Sequence, residues 1–177
     1  MKKLFISATL IAFGVFAFQG CSKDDANSVN ETKKGAITID MTDAPGDFNQ
    51  VNVDIRHVDI HYTDNGWIRL ETKSGIYDLL TLRDSVTTRL VDKDSIPVGE
   101  ITQIRLILGP DNSVMVDSVL YDLKVPSGEQ SGIKINVNKL LNFDDETYLL
   151  IDFDAEKSIV YTGNSNYILK PVIRVLK

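Results

Sequence analysis

The sequence predicts an all-β fold, an antiparallel β-sandwich of prealbumin or immunoglobulin type with one or two short helical turns. Three observations carry this expectation. Beyond residue 35, apolar residues recur at every second position through most of the chain. Clusters of Asp, Asn, Gly, Pro and Ser separate these runs at short intervals. No stretch repeats apolar residues at the three-and-four spacing of a long amphipathic helix.

Ile37, Ile39 and Met41 alternate with Thr38, Asp40 and Thr42, a half-buried strand. Asp43-Ala44-Pro45-Gly46-Asp47 is a turn, with proline presetting φ and glycine free to take positive φ. Val51, Val53 and Ile55 then alternate with polar residues, after which the apolar parity shifts to Val58, Ile60 and Tyr62. A one-residue slip inside one strand is the mark of a β-bulge, here near Arg56 and His57. Asp64-Asn65-Gly66 is a hairpin turn, and Trp67 to Glu71 the returning strand. Ile76 to Leu82 reads equally as a helical turn or a buried strand. Ile96-Pro97-Val98-Gly99 leads into a strand from Ile101 to Leu108. Val114 to Val116 and Val119 to Val125 form a hairpin about Asp117-Ser118, followed by a loop over 126–132. Ile133, Ile135 and Val137 begin another strand, Leu140 to Phe143 reads as a helical turn, and Leu149, Ile151 and Phe153 alternate again. Tyr167 to Leu176 closes the chain, with Pro171 marking an edge or a bulge.

The N-terminus is not part of this pattern. Lys2 and Lys3 precede an apolar run from Leu4 to Phe18, which is shorter than the ~20 residues of a membrane-spanning helix. Gln19, Gly20 and Cys21 follow, and Cys21 is the only cysteine of the 177 residues. Residues 1–20 read as a signal peptide. A small residue directly before a lone cysteine resembles the lipobox of bacterial lipoproteins, which implies cleavage before Cys21, acylation of its thiol and membrane attachment through the acyl chains. Ser22-Lys23-Asp24-Asp25 resembles the export signal of Bacteroidetes lipoproteins, which implies the outer membrane, facing the cell exterior. Residues 21–34 are polar and read as a flexible tether, and residues 35–177 as one domain.

Charge and chemistry narrow the function. The net charge of −6 becomes −8 once Lys2 and Lys3 are removed, 17 basic against 25 acidic side chains, so a nucleic-acid partner is not expected. One cysteine leaves no disulfide framework and, after acylation, no free thiol. There is no Gly-rich phosphate loop and no Gly-x-Ser-x-Gly elbow. His57 and His61 would lie ~13 Å apart on one strand face, too far to chelate one ion, and with Asp59 they read as a strand's solvent face. Asp43 with Asp47, and Asp152 with Asp154, are candidate Ca²⁺ ligands, since Ca²⁺ takes six to eight oxygens; turn capping and ion pairing are the competing explanations. Arg105, Lys134, Lys157, Lys170 and Arg174 sit among apolar strand residues and need carboxylate partners, the simplest being Asp152 or Asp154. Trp67, Tyr62, Tyr161 and Tyr167 are candidates for a sugar-stacking platform, or for cross-strand packing. Ser85, Ser95 and Ser118 each follow Asp and precede Val or Ile, which resembles the O-glycosylation triplet of Bacteroidetes.

Five motifs occur in order: Asp43-Ala44-Pro45-Gly46-Asp47; Gln103-Ile104-Arg105-Leu106; Pro126-Ser127-Gly128 with Ser131-Gly132-Ile133-Lys134; Asp152-Phe153-Asp154-Ala155 with Lys157-Ser158-Ile159; and Tyr167 with Leu169-Lys170-Pro171. Together they resemble the bacterial lipoprotein family catalogued as domain of unknown function 4382, over about residues 35 to 175. The resemblance implies a secreted or lipid-anchored β-rich domain and carries over no catalytic residue. The expected function is therefore a non-enzymatic binding or structural module at the outer membrane, engaging a protein or glycan. A Ca²⁺-dependent adhesion or carbohydrate-binding module is second, and a hydrolase built on two carboxylates third.

Overall fold

The computed structural model describes residues 33–44, 46–126 and 131–176. Cys21 and the signal peptide lie outside the described residues. Among the described residues no helix is long and apolar enough to cross a membrane.

Among the described residues the alternating runs become thirteen strands: β1 Lys34–Thr42, β2 Gln50–Tyr62, β3 Gly66–Arg69, β4 Gly75–Asp78, β5 Thr88–Pro97, β6 Gly99–Leu108, β7 Ser113–Val116, β8 Val119–Lys124, β9 Ile133–Leu141, β10 Glu146–Phe153, β11 Ile159–Gly163, β12 Asn166–Leu169 and β13 Ile173–Val175. A 3-10 turn, Leu79–Leu82, follows β4, and one short helix, α1 (Ala155–Ser158), follows β10. The fold is all-β. One sheet has the order β13-β10-β1-β5; the other runs β11-β12-β8-β7-β2-β6-β9, with β3 and β4 also paired to β2. Most pairings are antiparallel; β1 with β10 and β8 with β12 are parallel.

Strand β2 organises the larger sheet. β6 and β7 share one of its edges, and β3 and β4 the other. The expected bulge is present: Ile55 pairs with Leu108 and His57 with Ile107, so Arg56 is the extra residue. That slip lets Val51, Val53 and Ile55 and then Val58, Ile60 and Tyr62 all face inward and be buried. The smaller sheet supplies Ile37, Ile39, Met41, Leu149, Ile151 and Phe153 to the same core, all without exposed surface.

Turn chemistry is as expected in two places. Gly66 takes φ +70° at the β2–β3 hairpin, and Asp117-Ser118 take φ 48° and 65° between β7 and β8, the paired positive values of a tight hairpin turn. The ambiguous segment 76–82 is both things in succession, strand β4 and then the 3-10 turn, which Asp78 caps by accepting from the Leu80 amide. Leu140 and Leu141 are not helical, because β9 continues through them against Gly99 and Glu100. Pro171 separates β12 from β13.

Candidate functional site

The larger sheet's outer face carries two side-chain rows that run across four strands. Cross-strand pairing places Arg69 of β3, Asp59 of β2, Arg105 of β6 and Lys134 of β9 in one row. Trp67, His61, Gln103 and Asn136 form the adjacent row. The parity of β2 after its bulge is what turns Asp59 and His61 outward together.

Asp59 is the row's only carboxylate, and it is not the solvated residue that alternation predicts. It is 2% exposed, because flanking side chains close over it. Arg105 Nη2 donates to Asp59 Oδ2 at 2.6 Å, and Arg69 Nε to Oδ1 at 3.1 Å. Both carboxylate oxygens are thus satisfied, which a buried charge requires. The Arg105 guanidinium also lies 4.2 Å from the centre of the Trp67 ring, and Lys134 Nζ 5.7 Å from it. His61 meets Trp67 edge-on at 5.0 Å between centroids. Gly132 is packed so tightly here that a Cβ on it would come within 2.6 Å of Arg105 Cγ and 2.5 Å of Ile107 Cδ1. Two motifs of the sequence, around Arg105 and around Gly132-Ile133-Lys134, therefore meet at one place.

His61 is tied to β6 by a side-chain hydrogen bond. Its Nδ1 lies 2.9 Å from the hydroxyl of Thr102, a bulged residue of β6, and that hydroxyl donates to the His61 carbonyl at 3.2 Å.

The other three motifs meet at a corner around α1. Asp154 caps the helix by accepting from the Lys157 amide at 3.1 Å and from Lys157 Nζ at 2.6 Å. Burial raises the Asp154 carboxyl, but the Lys157 side chain and amide, with the more distant Arg174, outweigh it and leave its pKa lowered. The buried Ser158 hydroxyl accepts from the Val172 amide at 2.9 Å, and the Ser158 carbonyl accepts from the Lys170 amide at 2.7 Å. Asp152 pairs across strands with Arg174 at 2.7 Å. Asp43 Oδ1 accepts from the Ala155 amide at 2.8 Å, while its Oδ2, buried, has no partner among the described residues. Burial pushes the Asp43 carboxyl up to about 6, the Ala155 amide opposes this, and the charges of Asp152 and Asp154 add to it. Asp43, Asp152 and Arg174 line a cleft of about 420 Å³ together with Ser85, Leu150 and Leu176.

These placements sort the candidate residues. Asp43, Asp152 and Asp154 come near one another, but Asp152 and Asp154 are engaged as the ion pairs that compete with calcium, and Asp47 is exposed. Among the described residues no group of three or more His, Cys, Asp or Glu is placed to hold a metal. Arg174 and Lys157 have the expected partners, but Arg105 pairs with Asp59 instead, since Asp59 lies directly opposite it. No carboxylate among the described residues lies within 4 Å of the Lys134 or Lys170 ammonium; Lys134 faces Trp67, and Lys170 lines a second cleft of about 570 Å³. Tyr62 is core, its hydroxyl donating to the Pro97 carbonyl at 2.6 Å and its pKa pushed up to about 12 by burial. Tyr161, Tyr167 and Tyr121 form a cross-strand stack at 5.1 and 5.0 Å. Ser85 and Ser118 stand exposed at turns of positive φ, and Ser95 is exposed on β5. Sequence reasoning missed Arg69 and Asn136, and also the pairing of buried Asp40 with Arg89 at 2.9 Å and Tyr148 at 3.2 Å. Only strand register reveals them.

A family model described as "Domain of unknown function (DUF4382)" matches residues 34–171. No curated protein and no solved structure matches the chain.

Proposed function

The chain belongs to the DUF4382 family, and on that premise we propose that it is a lipid-anchored, non-enzymatic binding module displayed on the outer membrane, with the outer face of β3-β2-β6-β9 as its binding surface. The observation that carries this reading is the pair of rows centred on Arg105. They set charged, amide and aromatic groups side by side on four hydrogen-bonded strands, a rigid support for recognition. Catalysis has less support among the described residues. Among the described residues the buried carboxylates Asp40, Asp54, Asp59 and Asp152 are each tied to an arginine and Asp154 to Lys157, which leaves Asp43 as the buried carboxylate with an unpartnered oxygen. The chain's acidity is consistent with an exported, soluble domain that does not bind nucleic acid.

The test is a binding screen of the intact lipoprotein in detergent against a glycan array and an outer-membrane extract. The expected result is a ligand whose binding falls when Asn136, on β9 beside Gln103, is replaced by tryptophan. Undiminished binding by that variant would move the surface elsewhere, and no ligand in either screen would overturn the reading.

A Ca²⁺-dependent module is the second reading, favoured by the unpartnered Oδ2 of Asp43 beside Asp152 and Asp154. Melting temperature followed through a calcium titration decides it; no shift at millimolar Ca²⁺ removes it.

A further inference from the structure

We infer that the outer face of β3-β2-β6-β9 takes an anionic polysaccharide with well-spaced charges, a glycan bearing carboxylate or sulfate groups. This rests on the binding-module reading and adds the ligand's chemical class.

The charge balance of the two rows comes first. They hold three cations, Arg69, Arg105 and Lys134, against one carboxylate, Asp59. Asp59 is buried and already shared by both guanidiniums, so it presents little charge outward. Lys134 has no carboxylate within reach among the described residues, and its ammonium stands over Trp67. The Arg69 side chain is 58% exposed. A surplus of positive charge therefore sits on the surface of a chain whose net charge is −6.

Charge density then selects among polyanions. At ~4.8 Å per strand the Cα atoms of Arg69 and Lys134 stand ~14 Å apart, but the Arg69 and Arg105 side chains converge on Asp59, and Arg105 and Lys134 on Trp67, so the charged ends form one compact cluster. Nucleic acid carries about one charge per 1.7 Å of duplex, and the acidic remainder of the domain would repel most of them. A glycan charged once per sugar or per disaccharide sets a single anion against this cluster and leaves its neutral hydroxyl groups for the side chains around it. The neighbouring row suits the rest of such a chain. Gln103 Nε2 donates to Asn136 Oδ1 at 2.8 Å, which leaves further amide donors and the Gln103 carbonyl for hydroxyl groups. An acidic peptide fits less well. Peptides gain affinity by adding a strand to a free edge; β2 and β6, which carry Asp59, His61, Gln103 and Arg105, are paired on both edges, and the one-sided strands β3 and β9 lie at the two ends of the face.

The experiment is affinity electrophoresis and calorimetry of the intact lipoprotein with polygalacturonate, a neutral β-glucan, polyglutamate and a single-stranded oligonucleotide. Polygalacturonate should bind best and weaken with added salt. Lys134→Glu and Arg69→Gln should each lower its affinity about fivefold or more and Lys134→Arg should retain it; both Lys134 variants should melt near the parent temperature, and Arg69→Gln lower, because it leaves Asp59 Oδ1 unpaired. Equal binding of the neutral glucan, tighter binding of polyglutamate or oligonucleotide, or full affinity in a folded Lys134→Glu variant would overturn the inference. A neutral glycan whose binding is lost on Asn136→Trp would sink the anionic class yet keep the binding surface; absence of any ligand would sink both.

Discussion

Arg105 stands directly opposite Asp59 in the β2–β6 ladder and closes a 2.6 Å ion pair over it while its guanidinium covers the Trp67 ring. One arginine thereby neutralises a buried carboxylate and immobilises an aromatic ring on the sheet's outer surface. Asp59→Asn should lower stability by about 2–3 kcal/mol. That is somewhat under the cost of breaking a fully buried pair, because Arg105 and Arg69 retain access to water. Urea unfolding measures it, and a change below ~0.5 kcal/mol would mean that the pair contributes little.

Asp43 provides a pH-dependent prediction. Its folded pKa of about 6 lies above the ordinary 3.8. Its contribution to stability is thus fully present below pH 3.8 and is lost as pH rises through about 6. Asp43→Asn mimics the protonated form and can keep the Ala155 bond. Between pH 4 and 7 the parent should lose about 1–2 kcal/mol relative to the variant, after allowance for solvent in the adjoining cleft. Parallel stability curves for the two proteins would contradict the assignment.

Glycine packing gives a matched pair of substitutions. A Cβ at Gly109 would fall 2.0 Å from Asp54 Oδ2 and 2.4 Å from Arg56 Nε, inside the ion pair that covers the bulge. Gly109→Ala should destabilise by about 2–4 kcal/mol. At Gly75 the nearest atom is 4.0 Å away, so Gly75→Ala should fall within about 0.5 kcal/mol of the parent. Thermal melts of both variants provide the comparison.

The proposed anchor predicts a simple partition. Labelled fatty acid should enter the parent protein, and Cys21→Ala should release the chain from membranes in cell fractionation. A Cys21→Ala protein that stays membrane-bound would rule out attachment through this sulfur.

Much of the fold was legible because burial on one face imposes a period of two, and a parity change exposes a bulge without any structure. Strand β5 was not legible. Leu90 and Val91 are both buried, Asp92-Lys93-Asp94 interrupt the alternation, Lys93 takes positive φ, and the register against β1 shifts twice. Helix α1 was missed as well, since four residues are too few for a helical period to show.

The sequence alone determined which segments alternate, where turns break them, and that acidic and basic residues sit inside strands and must find partners. Which partners they find was decided by register and sheet order. Asp59 meets Arg69 and Arg105 because β2 lies between β3 and β6, and Asp152 meets Arg174 because β10 pairs with β13. Periodicity tells which face a side chain occupies. It does not tell which of thirteen strands lies alongside, because that choice depends on how the whole chain closes its core.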